Sequence, residues 1–194
     1  MRTKKELRKE ILQLRDALNV EERKEKSHLI AEKVIVQNEF IEADKILLFA
    51  SFKSEVDTCE IFQAAREAGK AVYFPKIIGK EMKFYRVEKE DDLTEGQWGI
   101  REPQPIPEKE FVPQAVDKIC VIMPGAVFDI EGNRIGYGGG YYDKFLKRIE
   151  NGYKLAIAFD CQLVDRCQIA IEQYDVKVDC IVTEKIVSID NACK

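Results

Sequence analysis

The chain has 194 residues, 45% of them hydrophobic and 34% charged, and 31 Lys and Arg against 35 Asp and Glu give a net charge of −4. That composition suits a globular protein with one sizeable core, expected as a single unit over residues 1–194. The acidic balance argues against nucleic-acid binding, no apolar run approaches membrane-spanning length, and the opening "MRTKKELRKEILQLRDAL" is too charged for a signal peptide, so a cytoplasmic protein is expected.

Leu7, Ile11, Leu14 and Leu18 recur at helical spacing and predict an amphipathic helix over 3–18. A second helix is expected to about residue 37, with Asn19 as its cap. "KILLFAS" (45–51) reads as a buried strand, and "DTCEIFQAAREAG" as a helix with Asp57 as cap candidate and Gly69 as stop. "KAVYFP" is the next strand, ended by Pro75, which makes a strand–helix–strand unit with parallel pairing. "MKFYRV" predicts a further strand, and "TEGQWGIREPQPIPEKEFVP" a long loop with four of the six prolines. "DKICVIMPG" is a buried strand leading into a glycine-rich stretch. "YDKFLKRIE" reads as a helix, "YKLAIAFD" as a strand, and "CIVTEKIVSI" as one or two strands. The fold class expected is three-layer α/β, a mainly parallel sheet flanked by helices, Rossmann-like without the dinucleotide fingerprint.

The six cysteines (Cys59, Cys120, Cys161, Cys167, Cys180, Cys193) read as reduced thiols. With no C-x-x-C pair and His28 the single histidine, a zinc site or a histidine triad is not expected. The stretch "GNRIGYGGGYYDKF" (132–145) is the chemically pointed segment. A G-x-G-x-x-G starting at Gly136 fails at Tyr141, and no G-K-[ST] is present, so neither standard nucleotide pattern applies. Alone, such a turn reads as a structural connector. Its setting points to phosphate: Arg134 precedes it, a helix opens at its end, and Asp143 could hold a hard cation such as Mg2+ beside phosphate oxygens.

"MPGAVFDIEGNRIGYGGGYYDKFL" resembles the signature of the 5-formyltetrahydrofolate cyclo-ligase family, a proline-glycine turn, then F-D, then G-x-R-[LI]-G-x-G-x-G-Y-Y-D, with no gap. "KKELRKEILQLRDAL", "SFKSEVDT", "YFPKI" and "KVDCIVTE" extend the resemblance along nearly the whole chain. It implies an ATP- and Mg2+-dependent closure of 5-formyltetrahydrofolate to 5,10-methenyltetrahydrofolate. In that reaction the formyl oxygen is phosphorylated, N10 attacks the activated carbon, and ADP and phosphate are released. Phosphoryl transfer of this kind works by positioning and charge neutralisation, in keeping with a chain that has no Cys–His or Ser–His nucleophile. A catalytically inactive folate- or nucleotide-binding homologue of the same fold is the alternative, and loss of Arg134, Asp143 or Glu55 would favour it; all three are present.

By the same resemblance, Lys4 and Arg8 match ATP-contacting residues and, at i and i+4, share one helix face, while Lys5, Lys9 and Arg15 stay surface residues. Arg134, Ile135, Gly136, Tyr137, Gly138, Gly139, Gly140, Tyr141 and Tyr142 match the nucleotide loop, with residues 137–141 also bordering the folate. Lys4 and Arg134 are the expected catalytic cations. Lys76 joins the phosphate cluster, and Asp143 and Asp179 match metal positions, with Asp175 and Asp160 weaker candidates. Glu55 and Ala50 match folate-contacting positions, a carboxylate suiting the paired donor edge of the pterin. Trp98 is either a packing anchor or a cover for the folate rings. Ile135 and Lys144 depart mildly from the family's usual leucine and arginine. The partners implied are small molecules alone, reduced folate and ATP, acting on a monomer.

Overall fold

The computed structural model describes residues 2–96, 99–149, 151–165 and 168–189. Helix α1 (Lys4–Asp16) starts at Thr3, whose side chain accepts from the Glu6 N–H while the Glu6 carboxylate accepts from the Thr3 N–H. The same reciprocal cap opens α2 (Val20–Ile35), between Asn19 and Glu22, as expected for Asn19. After a short α3 (Asn38–Glu42) come β1 (Lys45–Leu47), α4 (Cys59–Glu67) and β2 (Ala71–Ile78). Asp57 does not cap α4 directly: Thr58 is the N-cap, and the Asp57 carboxylate accepts from the Cys59 N–H two residues on. Gly69, at φ +74°, ends the helix as predicted.

Pro75 does not end its strand. Strand β2 runs on to Ile78 and pairs antiparallel with β3 (Glu81–Arg86), Pro75 opposite Phe84. Phe84 turns its carbonyl away to accept from the Phe111 N–H, so the missing proline N–H leaves no gap in this ladder. The proline-rich segment also holds more order than expected, a hairpin of β4 (Leu93–Glu95) and β5 (Arg101–Pro103). Then follow β6 (Ile119–Met123), β7 (Val127–Asp129), β8 (Arg134–Ile135), α5 (Tyr141–Leu146), β9 (Gly152–Ile157), β10 (Leu163–Val164), β11 (Cys180–Val182) and β12 (Val187–Ile189).

Seven strands form the main sheet in the order β12-β11-β9-β6-β1-β2-β3, parallel except at its two edges. Its interior strands are buried on both sides, which is why "ILL", "ICVIM" and "LAI" read as unbroken apolar runs. Alternate residues go to opposite layers: Ile46, Cys120, Ile122, Leu155 and Ile157 pack with Ile30 and Val34 of α2 and Ile61 and Phe62 of α4. Leu47, Val121, Met123 and Ala156 pack with Phe145 and Leu146 of α5. This is the three-layer α/β arrangement that the sequence predicts. A smaller sheet, β10-β7-β8, had no sequence signal, since two of its strands are two residues long; with Leu7 and Ile11 of α1 it forms a third apolar cluster.

From β1 the chain moves through α4 to β2 on one side, and later to β6 on the other. The order reverses between β1 and β6, and ligand clefts in open α/β sheets lie beyond the strand ends at such a reversal. Residues just past β1 (Phe49, Ala50) and just past β6 (Pro124) line one cleft of ≈ 850 Å³.

Candidate active site

One wall of the cleft is α1, through Lys4, Arg8, Leu12, Arg15 and Asp16. Leu7, Ile11 and Arg15 are its buried stripe, so Arg15 takes the inward place and Leu14 is half-exposed. Arg15 is therefore not the surface residue expected. Lys5 and Lys9 are exposed, as expected. Arg8 donates from Nε to the Gly136 carbonyl at 2.7 Å, which ties α1 to the glycine loop. Lys4 lies 2.6 Å from Asp175 and 3.1 Å from Glu172, both on the cleft wall. Burial opposes its charge, but the two carboxylates outweigh this and raise the ammonium pKa.

The opposite wall is built by the 124–143 stretch, and the loop before it explains its spacing. Asp129, fully buried, accepts from the Glu131 and Asn133 N–H groups and from the Asn133 side chain at 2.9–3.0 Å. This fixes the 129–133 turn and aims β8 into the site. At Gly125 any side chain would run into the Phe128 ring and reach 3.2 Å from Cγ of Arg134, so the proline-glycine turn leaves room for the arginine stem. Arg134 is buried and its Nη2 lies 2.8 Å from Oδ1 of Asp143, while its Nε is a buried donor without a partner. An unpaired buried N–H is costly unless something supplies an acceptor.

Gly138 (φ +101°) and Gly140 (φ +63°) hold backbone that other residues rarely adopt, and Gly140 is the N-cap of α5 without a side-chain cap bond. Tyr141 and Tyr142, the first two residues of α5, both line the cleft and both pack on the core. The hydroxyl of Tyr142 is buried without a partner, its ring lies 5.7 Å from the Arg134 guanidinium carbon, and burial pushes its pKa up.

The third wall is the loop after β1. Glu55 accepts from the Tyr137 hydroxyl through Oε1 and from the Phe52 N–H through Oε2 at 3.0 Å. Burial raises the carboxyl pKa against those two bonds and the Arg15 charge. Tyr137 in turn accepts from Nη1 of Arg15 at 2.7 Å, and Nε of Arg15 donates to Ser54 Oγ at 3.0 Å.

The structure thus places Lys4, Arg8, Ala50, Glu55, Arg134, Ile135, Gly136, Tyr137, Gly138, Gly139, Gly140, Tyr141, Tyr142 and Asp143 on one cleft. Two expected residues are elsewhere. Lys76 is absent from the lining although its strand neighbours Pro75 and Ile77 belong to it; its ammonium pairs at 3.0 Å with Glu102, and it is Glu102 that reaches the lining. Asp179 lies outside the lining, just before β11, where it accepts from both the N–H and Nζ of Lys154 at 2.7 Å. Trp98 lies outside the described residues. Among the described residues no group of three His, Cys, Asp or Glu gathers as a metal cage. Arg15, Glu102 and Glu172 had no site role in the sequence reading, although Arg15 falls four positions after Ile11 on the buried stripe; Asp129 is the acid of the F-D pair in the signature, and its turn-fixing role comes from the structure.

Comparison with known proteins gives this geometry a family. Residues 1–184 match the 5-formyltetrahydrofolate cyclo-ligase family. The mouse 5-formyltetrahydrofolate cyclo-ligase is 32% identical over 191 residues, covering 93% of each chain, and the Escherichia coli K12 enzyme of that name is 29% identical, covering 89% of this chain and 96% of its own. Among solved structures, the Aquifex aeolicus 5,10-methenyltetrahydrofolate synthetase superposes with a TM-score of 0.83 at 36% identity, covering 98% of this chain and 94% of its own. The Mycoplasma pneumoniae synthetase does so with a TM-score of 0.73 at 26% identity, covering 93% and 98%. The match over nearly the whole chain, on a sheet that opens its cleft where the strand order reverses, makes this protein a ligase that belongs to the 5-formyltetrahydrofolate cyclo-ligase family.

Proposed function

We propose that this enzyme closes 5-formyltetrahydrofolate to 5,10-methenyltetrahydrofolate, consuming ATP with Mg2+ and releasing ADP and phosphate. The observation that carries the proposal is that the Lys4 and Arg8 cations, the glycine loop with Arg134, and the Glu55 carboxylate line a single cleft, with a volume of ≈ 850 Å³. A cleft at the upper end of the usual ligand-site range suits two substrates side by side.

The donor set fits a triphosphate. Lys4, Arg8 and Arg134 line the cleft beside the bare backbone of Gly136, Gly138, Gly139 and Gly140, and the unpaired Nε of Arg134 lacks the acceptor that a phosphate oxygen would supply. Asp143, the carboxylate beside Arg134, fits a Mg2+ bound mainly through phosphate oxygens and water, for which one or two protein carboxylates suffice. Bound there, Mg2+ would neutralise charge on the transferring phosphoryl group.

At the other end, Glu55 would accept from the 2-amino and N3–H groups of the pterin and so set the formyl group toward the phosphate side. The formyl oxygen attacks the γ-phosphorus as the bond to ADP breaks. N10 then attacks the activated formyl carbon and loses its proton, and the carbon–oxygen bond breaks to release phosphate. Arg134 and Lys4 would stabilise the negative charge of the phosphoryl transfer, with no nucleophilic side chain needed. Incubation with 5-formyltetrahydrofolate, ATP and Mg2+ should produce the near-ultraviolet methenyl chromophore. Chromophore growth without ATP would overturn the mechanism, and binding of both ligands without turnover would leave a binding protein.

A further inference from the structure

A chain of hydrogen-bonded side chains crosses the cleft at its folate end, and its buried anchor lies on the helix that carries the phosphate-side cations. Arg15 is 5% exposed, an unusual place for a guanidinium, and two of its nitrogens have defined work. Nε donates to Ser54, the residue before Glu55, and Nη1 donates to the Tyr137 hydroxyl at 2.7 Å. That hydroxyl has one proton, and with Arg15 donating to its oxygen the proton is directed to Oε1 of Glu55. The guanidinium carbon also lies 5.8 Å from the centre of the Tyr137 ring, which holds the ring as well as its hydroxyl.

From this geometry we infer that Arg15 is a positioning residue for folate recognition: through Tyr137 and Ser54 it holds the Glu55 carboxylate in the orientation that meets the substrate's donor edge. Arg15 does not itself touch the substrate's reacting atoms. The inference rests on the folate role proposed for Glu55. Each Glu55 oxygen spends one acceptor site inside the protein, on Tyr137 or on the Phe52 N–H, and keeps another for the ligand. A carboxylate pinned at both oxygens loses little freedom on binding, and that is where such an arrangement gains affinity. Without Arg15 the Tyr137 hydroxyl is free to turn its proton elsewhere, and Ser54 loses its charged donor.

The test compares Arg15→Met, Tyr137→Phe, Glu55→Gln and the double variant Arg15→Met/Glu55→Gln, titrating each with 5-formyltetrahydrofolate and, separately, with ATP. Thermal melting reports whether each variant is folded, and Tyr137→Phe, which removes one oxygen and keeps the ring, serves if Arg15→Met is not. Glu55→Gln should weaken folate binding by about tenfold to a hundredfold, and Arg15→Met and Tyr137→Phe by about tenfold, with ATP binding nearly constant. The double variant should bind folate no more weakly than Glu55→Gln alone, because Arg15 acts through that carboxylate. Arg15→Lys should restore part of the loss by keeping the charge near Tyr137 without the fork. Full additivity in the double variant, or folded Arg15→Met and Tyr137→Phe proteins with unchanged folate affinity, overturns the positioning role and leaves the folate role of Glu55 standing. A silent Glu55→Gln overturns the folate role, and the inference falls with it.

Discussion

Arg134 and Asp143 face each other at 2.8 Å across the glycine loop, one at its entrance and one in the first turn of the helix after it. The pair closes the loop on itself and sets a cation and a carboxylate side by side on the cleft. Phosphate and Mg2+ would divide this pair between them, the guanidinium to the anion and the carboxylate to the metal.

Replacing Arg134 by alanine should reduce turnover by a factor of about 10² or more, the usual scale for a lost charge-stabilising donor. The fold should persist, because Asp143 keeps solvent access and a contact from the Val176 N–H. Steady-state rates from the methenyl chromophore, beside a melting curve, decide the matter. A variant near wild-type turnover would make Arg134 a loop strut only.

The two aspartates separate by position. Asp143→Asn should raise the Mg2+ concentration needed for half-maximal rate, since it removes a charged oxygen from the cleft. Asp179→Asn should leave that titration unchanged and instead lower stability by about 1 kcal/mol, through its weakened bonds to Lys154. If Asp179→Asn shifts the Mg2+ curve, a metal position reaches beyond the cleft lining.

Glu55 gives a stability test with a definite sign. Its carboxyl pKa is raised in the folded protein, chiefly by burial, while Tyr137, the Phe52 N–H and Arg15 pull the other way. The folded state therefore holds the proton more tightly than the unfolded chain. Its stability contribution is greatest at low pH and falls as pH rises from the ordinary carboxylate range through the raised value. Glu55→Gln lacks this titration, so its stability relative to the parent should improve between about pH 5 and about pH 8. Melting curves of both proteins at the two pH values measure the change, and a constant difference would contradict it.

Gly138→Ala should hurt nucleotide use more than it hurts the fold. At φ +101° an alanine is strained, and its Cβ would come to 3.5 Å from Nη1 of Arg8. Strain of this kind costs about 1–3 kcal/mol. The loop can relieve it by moving away from Arg8, so the KM for ATP should rise by roughly tenfold while the melting temperature drops a few degrees. An unchanged KM would show that the loop backbone does not need this conformation.

The main sheet is legible in the sequence because its inner strands are buried on both faces, and "KILLFAS" or "DKICVIMPG" can hardly be anything else. The small sheet is not, because two-residue strands such as β8 and β10 leave no periodic trace. The glycine loop is legible because its residues are consecutive, so local order in the chain is local order in space. Pairings across the fold have no such trace: Lys76 is taken up by Glu102 and Asp179 by Lys154, each 25 or 26 positions away. Arg15 shows the subtler failure. Leu14 fits an apolar stripe by type, but Arg15 fits it by angle, and the Ser54 and Tyr137 hydroxyls waiting there make the charged residue the better tenant.

Helix α1 contributes no strand to the main sheet, yet it supplies Lys4, Arg8 and Arg15 to the cleft. Its turn into α2, at residues 17–19, is a natural place to cut. A protein lacking the first 18 residues would keep every strand of the main sheet in its sequence but lose the Arg8 tie to the glycine loop and have one side of the cleft open to water. Supplied in trans, a peptide of that segment would restore the missing wall only by docking Leu7 and Ile11 onto the small sheet. The architecture therefore lends itself to split-enzyme complementation, with catalytic output reporting the reunion of two fragments.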